Sequence, residues 1–214
     1  AAIASDASTY GATGVNSIAI GQTAKATATK SYAIGYLATA INQGAVAIGG
    51  SSYGANAAGS YSIAIGDGTS VNALSSGSVS LGYFNVVVGG GSISLGVNGT
   101  VVQDGKLAFM GSKSPGFGQI TAYPQYGLTT LFANTNSSTP ITLTTADASV
   151  VSSGSGTAAP SPTNQIILPA NTAFAYTILV VARQASSNGS NSAAWEFKGL
   201  ARRDAGSTTT IVNN

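Results

Sequence analysis

Six carboxylates are spread along the 214 residues: Asp6, Asp67, Asp104, Asp147, Glu196 and Asp204. Histidine and cysteine are both absent, which excludes a Ser-His-Asp relay, a His-ligated metal and thiolate chemistry. Two carboxylates can still hydrolyse a glycosidic bond, one as acid and the other as base or nucleophile, so glycan hydrolysis is the enzyme chemistry to weigh. Most of the six have a structural role to play instead. Asp104-Gly105 lies between alternating apolar runs, as a two-residue hairpin turn would. Asp67, within "GDGTS", suits a tight corner, and Glu196 and Asp204 stand close in sequence to Lys198, Arg202 and Arg203 as ion-pair partners. No Asp-rich motif supports calcium. The glycines of "GVNGT" and "GGGS" lack the strand, helix and lysine of a phosphate loop. The expectation is a protein with no catalytic residue, no metal ligand and no cofactor.

Recognition is the chemistry that remains. Sugar-binding sites pair aromatic faces, which stack on pyranose rings, with amide, hydroxyl and guanidinium hydrogen bonds. The stretch "GSKSPGFGQITAYPQYG", 111–127, reads as a Gly/Pro loop carrying Phe117, Tyr123 and Tyr126, the first candidates for such a site. Arg202 is the candidate polar partner; Arg203 beside it must point to the opposite strand face. Trp195 falls in an alternating strand and is expected in a core. Tyr53 and Tyr61 are expected to pack at the solvent edge.

The elements that must hold these residues are unusual. Alanine supplies much of the 43% apolar content, charged residues make up 7%, and the net charge is +2. This combination fits an ordered, uncharged, β-rich chain better than a disordered one. Eight basic residues are too few to form a phosphate-tracking stripe, so no nucleic-acid partner is expected. The longest apolar run, "FAYTILVVA" at 174–182, falls far short of the ~20 residues of a membrane span, and no membrane insertion is expected.

A short unit repeats at the front of the chain: "SIAIG" ends at Gly21, "SYAIG" at Gly35, "AVAIG" at Gly49, "SIAIG" at Gly66, "SVSLG" at Gly82 and "SISLG" at Gly96. The steps of 14, 14, 17, 16 and 14 residues have room for two short strands and two tight turns, the signature of a β-solenoid. Alternation places Ile18 and Ile20 on one parity with Ala24, Ala26 and Ala28, so an isoleucine face should oppose an alanine face across a thin interior. The closing glycines supply positive φ or close approach at a corner. The longer units should bulge as loops carrying Tyr53 and Thr69. A core this thin buries little per ordered residue, so an isolated roll should be marginal, and a homo-oligomer with a capping second half is expected.

The run "NSIAIGQTAKATATKSYAIG" and its successors resemble the repeats of the YadA-like head of trimeric autotransporter adhesins, over about residues 11–96. That resemblance implies a left-handed parallel β-roll and a homotrimer. The tail "FAYTILVVARQASSNGSNSAAWEFKGLARRD" resembles the C-terminal β-modules of tailed-bacteriophage tail-fibre proteins, over about residues 165–213. Beyond Gly96, strand-like runs at Ile141–Thr144, Gln165–Leu168, Phe174–Val181 and Ala194–Leu200 suggest an antiparallel sandwich. The resulting expectation is an all-β trimer, with a YadA-like roll at 1–100 as shaft and a β-sandwich at 101–214 as receptor-binding module. Together the resemblances imply a virion tail fibre that binds a bacterial surface polysaccharide and meets other tail or baseplate proteins on its N-terminal side. The alternatives are an adhesin head on a bacterial surface, although no heptad repeat follows the roll, and a capsule-depolymerising tailspike.

Overall fold

The computed structural model describes residues 10–111, 125–131, 133, 143, 145, 166, 168, 170–183, 191–206 and 208–212, and these contain strands and turns but no helix. The chain divides into two compact units, 1–166 and 167–214.

The first unit is a parallel β-roll of about seven coils. One sheet carries β1 (Gly11–Ala12), β3 (Lys25–Ala26), β5 (Thr39–Ala40), β7 (Asn56–Ala57), β9 (Ser70–Val71), β11 (Val86–Val87) and β13 (Thr100–Val101). The other carries β2 (Ile18–Ile20), β4 (Tyr32–Ile34), β6 (Val46–Ile48), β8 (Ile63–Ile65), β10 (Val79–Tyr83), β12 (Ile93–Val97) and β14 (Lys106–Gly111). Every coil-to-coil pairing is parallel and in register, Ile18 beside Tyr32 and Ile34 beside Ile48. The last edge of this sheet is closed by β15 (Gln125–Thr129), antiparallel to β14.

Two corners per coil turn the chain, and each carries a residue in the left-handed region, at one corner besides the closing glycine itself. Thr23, Leu37, Gly68, Phe84 and Asn98 take it on the corner after the closing glycine, and Asn16, Lys30, Gly44, Tyr61, Gly77, Gly91 and Gly105 take it on the other. The closing glycines do a second job. A Cβ on Gly66 would lie 1.7 Å from the carbonyl oxygen of Gly82, and one on Gly82 would lie 1.8 Å from that of Gly96. The same close approach runs from Gly21 to Gly96, so stacked coils touch backbone to backbone along a glycine column. The serine that opens a unit fastens the opposite corner: Ser31 Oγ donates to the Ala28 carbonyl at 2.7 Å, and Ser62 Oγ to that of Gly59 at 2.6 Å.

The interior is alanine on both sides, which reverses part of the sequence expectation. Ala19, Ala33, Ala47 and Ala64 point inward from one sheet, facing Ala26, Ala40, Ala57 and Val71, whereas Ile18 and Ile20 point outward. Parity does not carry across the corner, because Gly21 at φ 128° and Thr23 at φ 57° rotate the chain between the strands.

Three further expectations change. Asp104-Gly105 turns a roll corner and not a hairpin: the strand that follows, β14, runs parallel to β12, so the roll extends to Gly111. Residues 125–129, read as loop, form β15. The extra residues of the 16-residue unit fall at Ala73–Leu74, where Leu74 is almost fully exposed, while Thr69 is buried with its Oγ donating to the Gly66 carbonyl.

The second unit is an antiparallel sheet of β16 (Thr172–Arg183), β17 (Ser192–Arg203) and β18 (Thr209–Val212). Phe174, Tyr176, Ile178, Val180, Trp195, Phe197 and Ile211 share one face; Leu179 and Val181 lie with Glu196 and Lys198 on the other. The expected sandwich is one sheet among the described residues. Of the runs expected to add strands, Leu143, Ile166 and Leu168 are described and carry none, and the rest lie outside the described residues.

Candidate functional site

Of the four sequence candidates, Tyr126 and Arg202 are described, one in each unit. Phe117 and Tyr123 lie outside the described residues. Tyr126 is exposed on β15, its ring 6.2 Å from that of Phe109, so it prolongs the outward column of Ile20, Ile34, Ile48, Ile65, Leu81 and Leu95. Arg202 belongs to the second unit, exposed on β17 and 3.8 Å from Asp204. Arg203 takes the opposite face as expected, its guanidinium donating to the carbonyls of Leu168 at 2.9 Å and Gly206 at 3.3 Å. Trp195, expected in a core, is 48% exposed. Among the described residues its three-stranded sheet has no second layer to bury either face against.

The carboxylates take mostly structural places. Glu196 pairs with Lys198 at 3.0 Å on the surface. Asp104 Oδ1 accepts the Gly90 amide at 2.7 Å, tying one coil to the next. Asp67 Oδ1 accepts three amides, from Tyr53 at 2.8 Å, Ser51 at 3.1 Å and Ser52 at 3.3 Å, and Oδ2 accepts the Ser51 hydroxyl at 3.4 Å. Burial, the largest single influence, pushes the Asp67 carboxyl up, but these hydrogen bonds together outweigh it and hold the group below its ordinary value. Asp67 thereby pins the loop of residues 50–54, which holds the three extra residues of the 17-residue unit.

That loop delivers Tyr53 to a cluster the sequence reading missed. Tyr53 meets Phe84 edge to face at 4.9 Å, and Tyr83 meets Phe84 edge to face at 4.6 Å. The available signal was positional: "GYF" at 82–84 repeats the "GYL" of 35–37, placing aromatics just after the closing glycine.

A second surface is larger. The outward column of Ile18, Tyr32, Val46, Ile63, Val79, Ile93 and Leu107 runs parallel to the Ile20-to-Phe109 column, and together they make one sheet face apolar, with no layer packed over it among the described residues. An apolar face of this extent marks an association surface. The YadA head domain repeat family matches residues 12–38, 26–52 and 53–69. This part of the roll is YadA-like. No curated protein and no solved structure matches the chain. The YadA-like coils are those with the most regular alanine interior; in the units ending at Gly82 and Gly96 the inward position is instead Ser80 and Ser94.

Proposed function

We propose that this chain is a homotrimeric structural and recognition protein of an extracellular attachment device, a tail-fibre segment that holds a bacterial surface polysaccharide without cleaving it. The observation that carries the reading is the outward apolar face of the YadA-like roll, which needs copies of itself to cover it. Three copies around the roll give a rigid shaft. Several weak sugar sites on such a shaft gain avidity through effective concentration, so no single site has to be tight. Tyr126, next to the same apolar column, joins the subunit contact in this reading, and Arg202 remains a polar contact for ligand. Partner tail or baseplate proteins meet the N-terminal side.

The test has two parts. Light scattering on the purified chain should return three times its 20.9 kDa mass; a compact monomer would sink the reading. Incubation with intact bacteria and their extracted polysaccharide should give saturable binding while the polymer keeps its length. Shortened polymer would make the protein a depolymerase. The family match favours one alternative, an adhesin head on a bacterial cell surface; binding to host matrix in place of bacterial polysaccharide would select it.

A further inference from the structure

We propose that Tyr53, Phe84 and Tyr83, with the carboxylate of Asp67 beside them, form a binding subsite for a neutral hexopyranose segment of a glycan. The proposal rests on the glycan-binding reading above and adds a place, a ligand class and a sign of charge discrimination. Tyr53 and Phe84 sit two coils apart, the Gly68 amide donating to the Tyr53 carbonyl and the Phe84 amide to that of Asp67. Gly68 between them leaves room for the Phe84 ring: a Cβ there would lie 3.0 Å from Phe84 Cδ1 and Cε1. Phe84 also holds φ at 52°, a strained place for a bulky side chain, and so folds its ring along the corner.

The flanking rings stay open to solvent, with Tyr53 44% and Tyr83 43% exposed. Three rings fixed against one another form a preorganised apolar platform on which the C–H face of a sugar can stack with little ordering cost. Asp67 supplies the polar half. Its Oδ1 is saturated by backbone amides, whereas among the described residues Oδ2 receives just the long bond from Ser51 Oγ. That oxygen is therefore an ionised acceptor for sugar hydroxyls, a strong hydrogen-bonding partner. The same charge repels uronic and other acidic sugars. The loop that brings Tyr53 here is three residues longer than the repeat requires, and roll formation does not account for it.

Saturation-transfer NMR on the full chain, with cellohexaose and maltohexaose as neutral probes and an oligogalacturonate as acidic probe, tests the subsite. A neutral probe should bind saturably and the acidic one should not. Tyr53→Ala combined with Tyr83→Ala should weaken neutral binding about tenfold from the loss of two stacking rings, and Tyr53→Phe with Tyr83→Phe should retain it. Tyr61→Ala, an exposed tyrosine on the opposite corner, should change nothing; circular dichroism of each variant verifies the fold. Neutral binding unchanged in the double alanine variant, or equal binding of the acidic probe, overturns the subsite. If no oligosaccharide binds while the chain still captures bacterial polysaccharide, the subsite falls and the wider reading stands. If neither binds, both fall.

Discussion

A methyl group placed on Gly66 would meet the Gly82 oxygen at 1.7 Å, whereas one placed on Gly77 meets nothing within 4 Å. Both glycines have positive φ, so the pair separates close approach from backbone strain. Gly77→Ala should cost about 0.5–1 kcal/mol, the left-handed penalty less the entropy lost by a stiffer unfolded chain. Gly66→Ala should cost about 3 kcal/mol or more, because two coils must separate; denaturant unfolding of both variants reads the difference. Ser94 presents the opposite case. Its hydroxyl is buried among the inward columns and has no hydrogen-bond partner. Ser94→Ala should raise stability by about 1 kcal/mol by removing that orphan. Asn85, equally buried, is fully used: its amide donates to the carbonyls of Leu81 at 2.7 Å and Gly96 at 2.8 Å, and its oxygen accepts the Gly99 amide at 2.8 Å. The Asp67 carboxylate gives a pH dependence. Its folded pKa is depressed, so its contribution is complete above the ordinary carboxylate range near 4 and disappears as pH falls through the lower folded value. Amide protection at Ser51, Ser52 and Tyr53, corrected for the intrinsic pH dependence of exchange, should therefore fall on acidification, while protection at Tyr32 and Val46, which lie in regular coils, stays unchanged. Equal loss of protection everywhere would mean that Asp67 does not hold the loop.

At the level of elements, six coils and their glycine corners were legible in the sequence because a 14-residue period and a fixed closing residue survive in the one-dimensional pattern, whereas the last coil, ending in β14, lacks that closing glycine and was read as a hairpin. The direction of the side chains was not. Strict alternation predicts faces within a strand, but left-handed residues such as Thr23, Leu37 and Phe84 have no sequence signature of positive φ, so the inward alanines and outward isoleucines were exchanged. Asp104-Gly105 failed for a related reason: the same dipeptide that serves a hairpin also serves a corner between parallel strands. Tyr53 was visible as an insertion; its meeting with Phe84, 31 places along the chain, passes over Gly68, which is silent as a motif. Deleting Gly50, Ser51 and Ser52 would leave "GYGA" where the regular coil has the "GYLA" of 35–38. The shortened chain should fold with the same β-sheet circular dichroism, showing that the loop is an addition to the roll and not part of its framework.

Among the described residues, each unit presents an apolar sheet face without a covering layer, the roll face of the first and the Phe174–Trp195–Phe197 face of the second. Ile34→Glu with Ile65→Glu changes two outward side chains and leaves the alanine interior intact. Scattering mass should fall from three chains toward one if this face joins subunits; an unchanged trimer would place the contact elsewhere. A last consequence lies in the register. Partners in neighbouring coils of the roll are separated by 14 residues, as in Ile18 and Tyr32, or by 17 and 16 where insertions intervene. The distance along the chain between partners therefore never grows as coils are added. Most all-β proteins fold slowly because their pairings close long loops, and this roll escapes that penalty. A coil once formed offers its edge to the next segment, so structure can propagate along the chain like a zip at a rate that does not depend on the length of the shaft.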